Sequence, residues 1–212
     1  MAQGRFITLE GGEGAGKSTH VKRLCDALAG IGIEAVATRE PGGAPSAEQI
    51  RQLLVEGDAG RWDKLTETLL HFAARAEHVA RTVRPALERG AWVVSDRFID
   101  STMAYQGYAQ GVGRAKVEEI ARAVLGDFRP DLTVILDLPP EQGLERAAKR
   151  AHGGTRYESM GLAFHRRLRE AFLDIAKREP DRCVVIDATQ TKDKVHQDIL
   201  AALRGRLKPP GL

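Results

Sequence analysis

The chain has 212 residues, 42% hydrophobic and 29% charged, with 32 basic against 29 acidic side chains. That length supports one buried core, and that balance excludes a disordered or collagen-like chain. No apolar run approaches the roughly 20 residues that cross a bilayer and no apolar leader follows Met1, so a protein of the cytoplasm is expected.

Short apolar runs then alternate with longer patterns. RFITLE at 5–10 opens the series, followed by GIEAVATRE at 32–40, AWVVSDR at 91–97, LTVILDL at 132–138 and RCVVIDA at 182–188. Valine, isoleucine and leucine dominate these runs with few polar interruptions, which is how strands buried on both faces of a parallel sheet read. Between them apolar residues recur at helical spacing over 17–32, 47–57, 64–90, 115–128, 139–150 and 162–179, and another helix starts at TKDK, 191–194. Gly30 and Gly32 close the first helix and Gly90 the long one, where a left-handed residue is wanted. The pattern specifies one domain, an open α/β sheet covered by helices. Cys25 and Cys183 fall inside apolar patterns without metal or redox spacing and are expected as buried small hydrophobes.

In such sheets ligands gather outside the carboxyl ends of the strands. The first of these ends is GGEGAGKS, Gly11 to Ser18, which fits G-x-x-x-x-G-K-[ST] between a strand and a helix. Its glycines let successive backbone N–H groups turn inward onto phosphate oxygens, and the positive end of the helix adds to the attraction. Lys17 is expected to reach the β- and γ-phosphates and Ser18 to ligate Mg²⁺. Nucleoside triphosphate binding follows, but many activities share the loop.

Other motifs narrow the choice. No N-K-x-D is present to read guanine. Arginines stand instead at or near predicted strand ends: Arg39 in TREPGG, Arg97 in SDRF, and Arg146, Arg150 and Arg156 around GLERAAKRAHGGTRY. The planar guanidinium suits phosphate oxygens, so this spread suggests a second phosphate-bearing substrate facing the triphosphate. Gly153 and Gly154, flanked by those arginines between two helical patterns, read as a closing lid at about 147–158, or as a helix-helix turn with solvated arginines.

Together FITLEGGEGAGKST, TREPGG, LLHFAARAEHV, VVSDRFIDSTMAYQG, PDLTVILDLPPEQGLERA and RYES resemble the bacterial thymidylate kinase family over nearly the whole chain. The resemblance implies a P-loop nucleoside monophosphate kinase fold over 1–212, with a five-stranded parallel sheet and an arginine-rich lid. It implies Mg²⁺-dependent phosphoryl transfer from ATP to dTMP, usually by a homodimer, with no nucleic-acid or membrane partner. ATP is then held by Gly11, Gly12, Glu13, Gly14, Ala15, Gly16, Lys17, Ser18 and Thr19, with Arg146 and, from the loop beneath adenine, Gln190. For dTMP the resemblance implies Glu13 by the sugar 3′-OH, Phe72 and Arg75 against thymine, and Arg97 and Arg39 on the phosphate. Ser101, Tyr105 and Gln106 complete the nucleoside site, with Tyr105 crowding a ribose 2′-OH, and Asp96 joins Ser18 at the metal. With no arginine in the loop itself, the charge on the transferred group falls to Arg150 first, then Arg156, then Arg146. Asp137 is expected to anchor the loop that follows it. The rivals are a kinase of another nucleotide, which a panel of monophosphates separates, and a nucleotide-dependent switch or nucleic-acid-binding ATPase, marked by salt-sensitive DNA binding and ATP hydrolysis that ignores added monophosphates.

Overall fold

Five strands, β1 (Phe6–Glu10), β2 (Ala35–Arg39), β3 (Trp92–Asp96), β4 (Leu132–Asp137) and β5 (Cys183–Asp187), pair in parallel in the order β2-β3-β1-β4-β5. The computed structural model describes residues 4–58, 60–149, 156–209 and 211. All five strands fall within the apolar runs of the sequence. β1 lies at the centre, with Leu9 opposite Asp96 of β3 and Val134 of β4. That order brings the end of β1 beside the end of β3, where the phosphate loop and the SDRF motif meet.

Alternation along β1 assigns its residues to two cores. Ile7 and Leu9 pack on one face with Leu24 and Leu28 of α1 (Lys17–Gly30) and Ile199 and Leu203 of α9 (Lys192–Leu207). Phe6 packs on the other face, under α3 (Lys64–His78), α6 (Arg114–Leu125) and α8 (Leu162–Arg178). Each fully buried Leu or Ile of these layers contributes about 1.5–3 kcal/mol relative to exposure. Two helices edge the sheet's ligand side: α2 (Pro45–Val55), packed on α3, and α7 (Pro140–Ala148) after β4.

The helical pattern at 64–90 is one continuous run broken by a π-helical turn, Val79–Val83, between α3 and α4 (Arg84–Glu88). Pro85 has no N–H to donate, which accounts for the shifted hydrogen bonding just before it. The sequence analysis assigns no helix over FIDSTMAYQG, whereas the chain there forms α5 (Ile99–Thr102) and a π-helical segment, Met103–Ala109. Nearly every residue of it is buried, so no polar face marks a helical period. Arg182 pins α5 to the sheet, donating from Nη1 and Nη2 to the Asp100 carboxylate at 2.7 Å each. Cys183 is buried as expected, Cys25 only partly, and both are free thiols.

Candidate active site

After Glu10 the chain turns through residues 11–16 into α1, whose N-cap is Gly16 at φ 90 with no side-chain cap. The first-turn N–H groups of α1 are thus left for an anion, with the positive end of the helix behind them. The loop is pressed against α7: a Cβ on Gly14 would lie 2.1 Å from the Gly143 carbonyl oxygen, and a Cβ on Gly143 2.4 Å from that of Glu13. Backbone-to-backbone contact of that kind admits no side chain on either residue, and nothing in the sequence pattern marks Gly143.

A cleft of about 800 Å³ opens over the strand ends. Residues 13–19, Arg146 and Gln190 line it, whereas Gly11 and Gly12 border a smaller cavity behind the loop. Lys17 is buried and donates from Nζ to the Gly11 and Gly12 carbonyls at 3.1 and 2.7 Å. Burial, then repulsion by Arg97, lowers its pKa to about 8. Ser18 Oγ donates to the carboxylate of Asp96, joining α1 to the end of β3. Arg146 Nη1 donates to the Ala188 carbonyl at 3.1 Å, tying α7 to the loop after β5. Asp137 accepts both Nε and Nη2 of Arg169, at 2.6 and 2.8 Å.

Arg97 occupies the left-handed region at φ 72, which costs a non-glycine residue about 1–3 kcal/mol. From there its side chain crosses the loop: Nη1 donates to Gly11 O and Ser101 Oγ, each at 3.0 Å, and Nη2 to Glu13 Oε1 at 3.0 Å. Tyr105 Oη donates to the same Glu13 oxygen at 2.7 Å, and its ring lies 5.0 Å from the Arg97 guanidinium. Beneath them the buried Glu10 accepts the Phe98 N–H at 2.7 Å. Burial, then the Asp100 charge, raises the Glu10 pKa to about 8.

Arg75 is almost fully buried against Glu40, with Nε donating at 2.7 Å, while Nη2 donates to Phe98 O at 3.0 Å and Thr102 Oγ1 at 2.9 Å. Its Nη1 is buried without a partner. Gln106 donates from Nε2 to Glu67 Oε1 at 2.7 Å, and its Oε1 is likewise buried without a partner. Both residues line the cleft. An orphan donor and an orphan acceptor, each costing about 1–3 kcal/mol if never paired, thus belong to two residues that both line the cleft.

Phe72, expected against the base, does not line this cleft and packs in the core, its ring 5.0 Å from the Arg75 guanidinium. His71 lines the cleft in its place. Residues four apart on a helix lie closer to one face than residues three apart, and His71 is the one four before Arg75. Burial, with Arg75 and Arg156 next, presses the His71 pKa down to about 3, so the imidazole is neutral. Arg156, expected at the phosphates, does not face the cleft: it is buried and paired with Glu67, donating also to Leu54 O. Tertiary burial of Glu67 in the same layer draws it there. Arg150 and half of the expected lid, residues 150–155, lie outside the described residues. Arg39 lines the cleft while paired with Glu48 at 3.1 Å. Arg51 of α2 lines it too, held below the usual arginine pKa by burial and then by Arg39. Sequence reading missed Arg51 because one arginine in an amphipathic helix looks like a solvated face.

A phosphate loop at the end of the central strand of a parallel sheet, opposite arginines and a polar half-cleft, defines a phosphate-loop kinase. The thymidylate kinase family model matches residues 9–199, and the chain belongs to the thymidylate kinase family. It is 56% identical over 195 residues to a thymidylate kinase of Caulobacter vibrioides, covering 92% of this chain and 93% of that one. It is 50% identical over 209 residues to that of Bradyrhizobium diazoefficiens, with 98% and 92% covered. The crystal structure of thymidylate kinase from Ehrlichia chaffeensis superposes with a TM-score of 0.76 at 35% identity, covering 95% of this chain and 99% of that one. The activity is that of the family, phosphoryl transfer from ATP to dTMP.

Proposed function

We propose that the orphan pair in the cleft reads the thymine edge, and that this arrangement selects dTMP as acceptor. Arg75 Nη1 donates to the C4 carbonyl and Gln106 Oε1 accepts the N3–H, while the neutral His71 ring lies beside the base where Phe72 had been expected. Cytosine offers an amino group and a bare N3 in the opposite sense, so it would leave both protein groups unpaired. Arg97, Arg39 and Arg51 hold the 5′-phosphate, supported by their position around the cleft. Glu13 lies by the sugar. Tyr105 and Ser101 are fixed beside it by Glu13 and Arg97.

ATP takes the phosphate loop, with Lys17 on the β- and γ-phosphates and the loop of Ala188 and Gln190 beneath the adenine. A phosphate oxygen of dTMP attacks the γ-phosphorus, the bond to the β,γ-bridging oxygen breaks, and ADP departs with that electron pair. Arg97, Lys17 and Arg146 neutralise charge on the transferring group and hold the two nucleotides in line. Ser18 and Asp96 would hold Mg²⁺. Two hard oxygen donors in contact fit an ion that takes its other ligands from phosphates and waters. Bound there, Mg²⁺ supplies further charge neutralisation at the phosphates. We treat the chain as one catalytic domain acting in the cytoplasm on nucleotide pools, and as a homodimer through the exposed Leu53, Leu65 and Leu69 of α2 and α3. No described helix is long and apolar enough to cross a membrane.

The observation that carries the acceptor reading is the unpaired Arg75 Nη1 and Gln106 Oε1. Steady-state kinetics with dTMP, dUMP and dCMP test it in Gln106→Leu, with Mg²⁺ present and after its removal by chelation. The dTMP-to-dCMP ratio of kcat/KM is expected to fall about tenfold or more in the variant, and turnover to stop without the metal. A ratio unchanged by the substitution refutes the base-edge reading.

A further inference from the structure

Glu67 lies on α3 with 2% exposure and has no contact with the cleft, yet four side chains converge on it. Its Oε1 accepts Gln106 Nε2 at 2.7 Å, Gln110 Nε2 at 2.8 Å and Tyr157 Oη at 2.9 Å. Its Oε2 is paired with Arg156 Nη2. Two of these donors, Gln106 and Tyr157, line the cleft, and Tyr157 also meets His71 Nε2 at 3.0 Å.

A carboxylate can only accept. A glutamine amide has two nearly equivalent ends, and which end faces which way is decided by its partners. Because Glu67 accepts, Gln106 must turn its NH₂ inward, and its carbonyl is left without a partner. The same logic runs through Tyr157: with its hydroxyl proton committed to Glu67, its oxygen accepts from His71, which fixes the Nε2–H tautomer. We infer that Glu67 is a positioning residue for nucleobase selection, holding the Gln106 carbonyl and the His71 tautomer in the one polarity that matches an imide edge. The inference rests on the base-edge reading above and adds to it the group that sets its sign. Glu67 itself touches no substrate.

Glu67→Gln keeps the shape and abolishes the polarity, since an amide donates as readily as it accepts. Gln106 is then free to turn its NH₂ toward the cleft and meet the N3 of cytosine. The dTMP-to-dCMP ratio of kcat/KM is expected to fall about tenfold or more, the worth of one mispaired buried group. Glu67→Asp, which keeps a carboxylate, should retain most of the wild-type ratio. A merely structural Glu67 would lower both substrates together and leave the ratio unmoved, and that result overturns the proposal. Gln106→Leu separates the two levels: a ratio that survives it sinks the base-edge reading itself, whereas a ratio that collapses in Gln106→Leu but survives Glu67→Gln sinks the role of Glu67 alone. Should Glu67→Gln fail to fold because Arg156 loses its charge partner, the unaltered protein still decides. Hydrogen exchange of the Gln106 side-chain amide, followed by NMR, should be slow both without and with dTMP. Exchange as fast as that of an exposed glutamine overturns the proposal.

Discussion

Lys17 offers a quantitative handle on the phosphate loop. Its ammonium is enclosed by the loop and faces Arg97, and its pKa of about 8 means that close to half of the free enzyme lacks this charge at pH 8. At pH 6.5 only about 3% lacks it. The phosphates of bound ATP oppose both burial and Arg97, so Lys17 is fully protonated in the complex. Binding ATP should therefore take up about half a proton at pH 8 and almost none through Lys17 at pH 6.5. By linkage this weakens the nucleotide about twofold at the higher pH. Isothermal titration calorimetry in two buffers of different ionisation enthalpy measures the uptake directly. Phosphate protons, with a pKa of about 6, contribute with the opposite pH trend and are removed by comparison with Lys17→Arg. That variant keeps the cation and has no proton to gain. Uptake that fails to rise between pH 6.5 and 8, or that persists unchanged in Lys17→Arg, refutes the electrostatic account of the loop.

The backbone of Arg97 predicts an inverted preference: with the guanidinium removed in both variants, Arg97→Gly should be more stable than Arg97→Ala by about 1 kcal/mol, because only glycine enters φ 72 without strain. Denaturant unfolding checks this, and the ordinary order, alanine above glycine, would contradict it. Both variants should lose most of their turnover of dTMP. If Leu65 and Leu69, 44% and 50% exposed on α3, meet a second copy, sedimentation velocity should show a dimer at micromolar protein and Leu69→Glu should shift it to monomer. A wild-type monomer removes that assignment.

The chemistry of the two halves of the cleft differs in kind. On the proposed ATP side the recognising groups are main-chain N–H groups at a helix start, indifferent to base identity. On the proposed acceptor side they are buried side chains, Arg75 and Gln106, held by partners one layer further in, Glu40 and Glu67. On the proposed reading, a kinase that must choose one pyrimidine monophosphate among several keeps its selectivity in α3 and the Met103–Ala109 segment rather than in the loop that defines its class.

How much of this was legible beforehand follows from range. The phosphate loop, the five strands and Asp96–Arg97 could be read directly, because each depends on contiguous residues: glycine freedom in GGEGAGKS, apolar runs for buried strands, a strand end for SDRF. The helix at 99–109 escaped because burial on all sides erased its period. Phe72 and His71 are neighbours in sequence, and only the rotation of α3 against the sheet decided which one meets the cleft. Arg156 looks, as a letter, like its neighbours in an arginine-rich stretch, yet Glu67, 89 positions away, draws it into a buried pair. A sequence records which groups are present and their local spacing. The direction in which an amide, an imidazole or a guanidinium points is set by partners distant in the chain, so the class of the enzyme was in the sequence and the pairing of Arg75 with Glu40 and of Gln106 with Glu67 only in the folded structure.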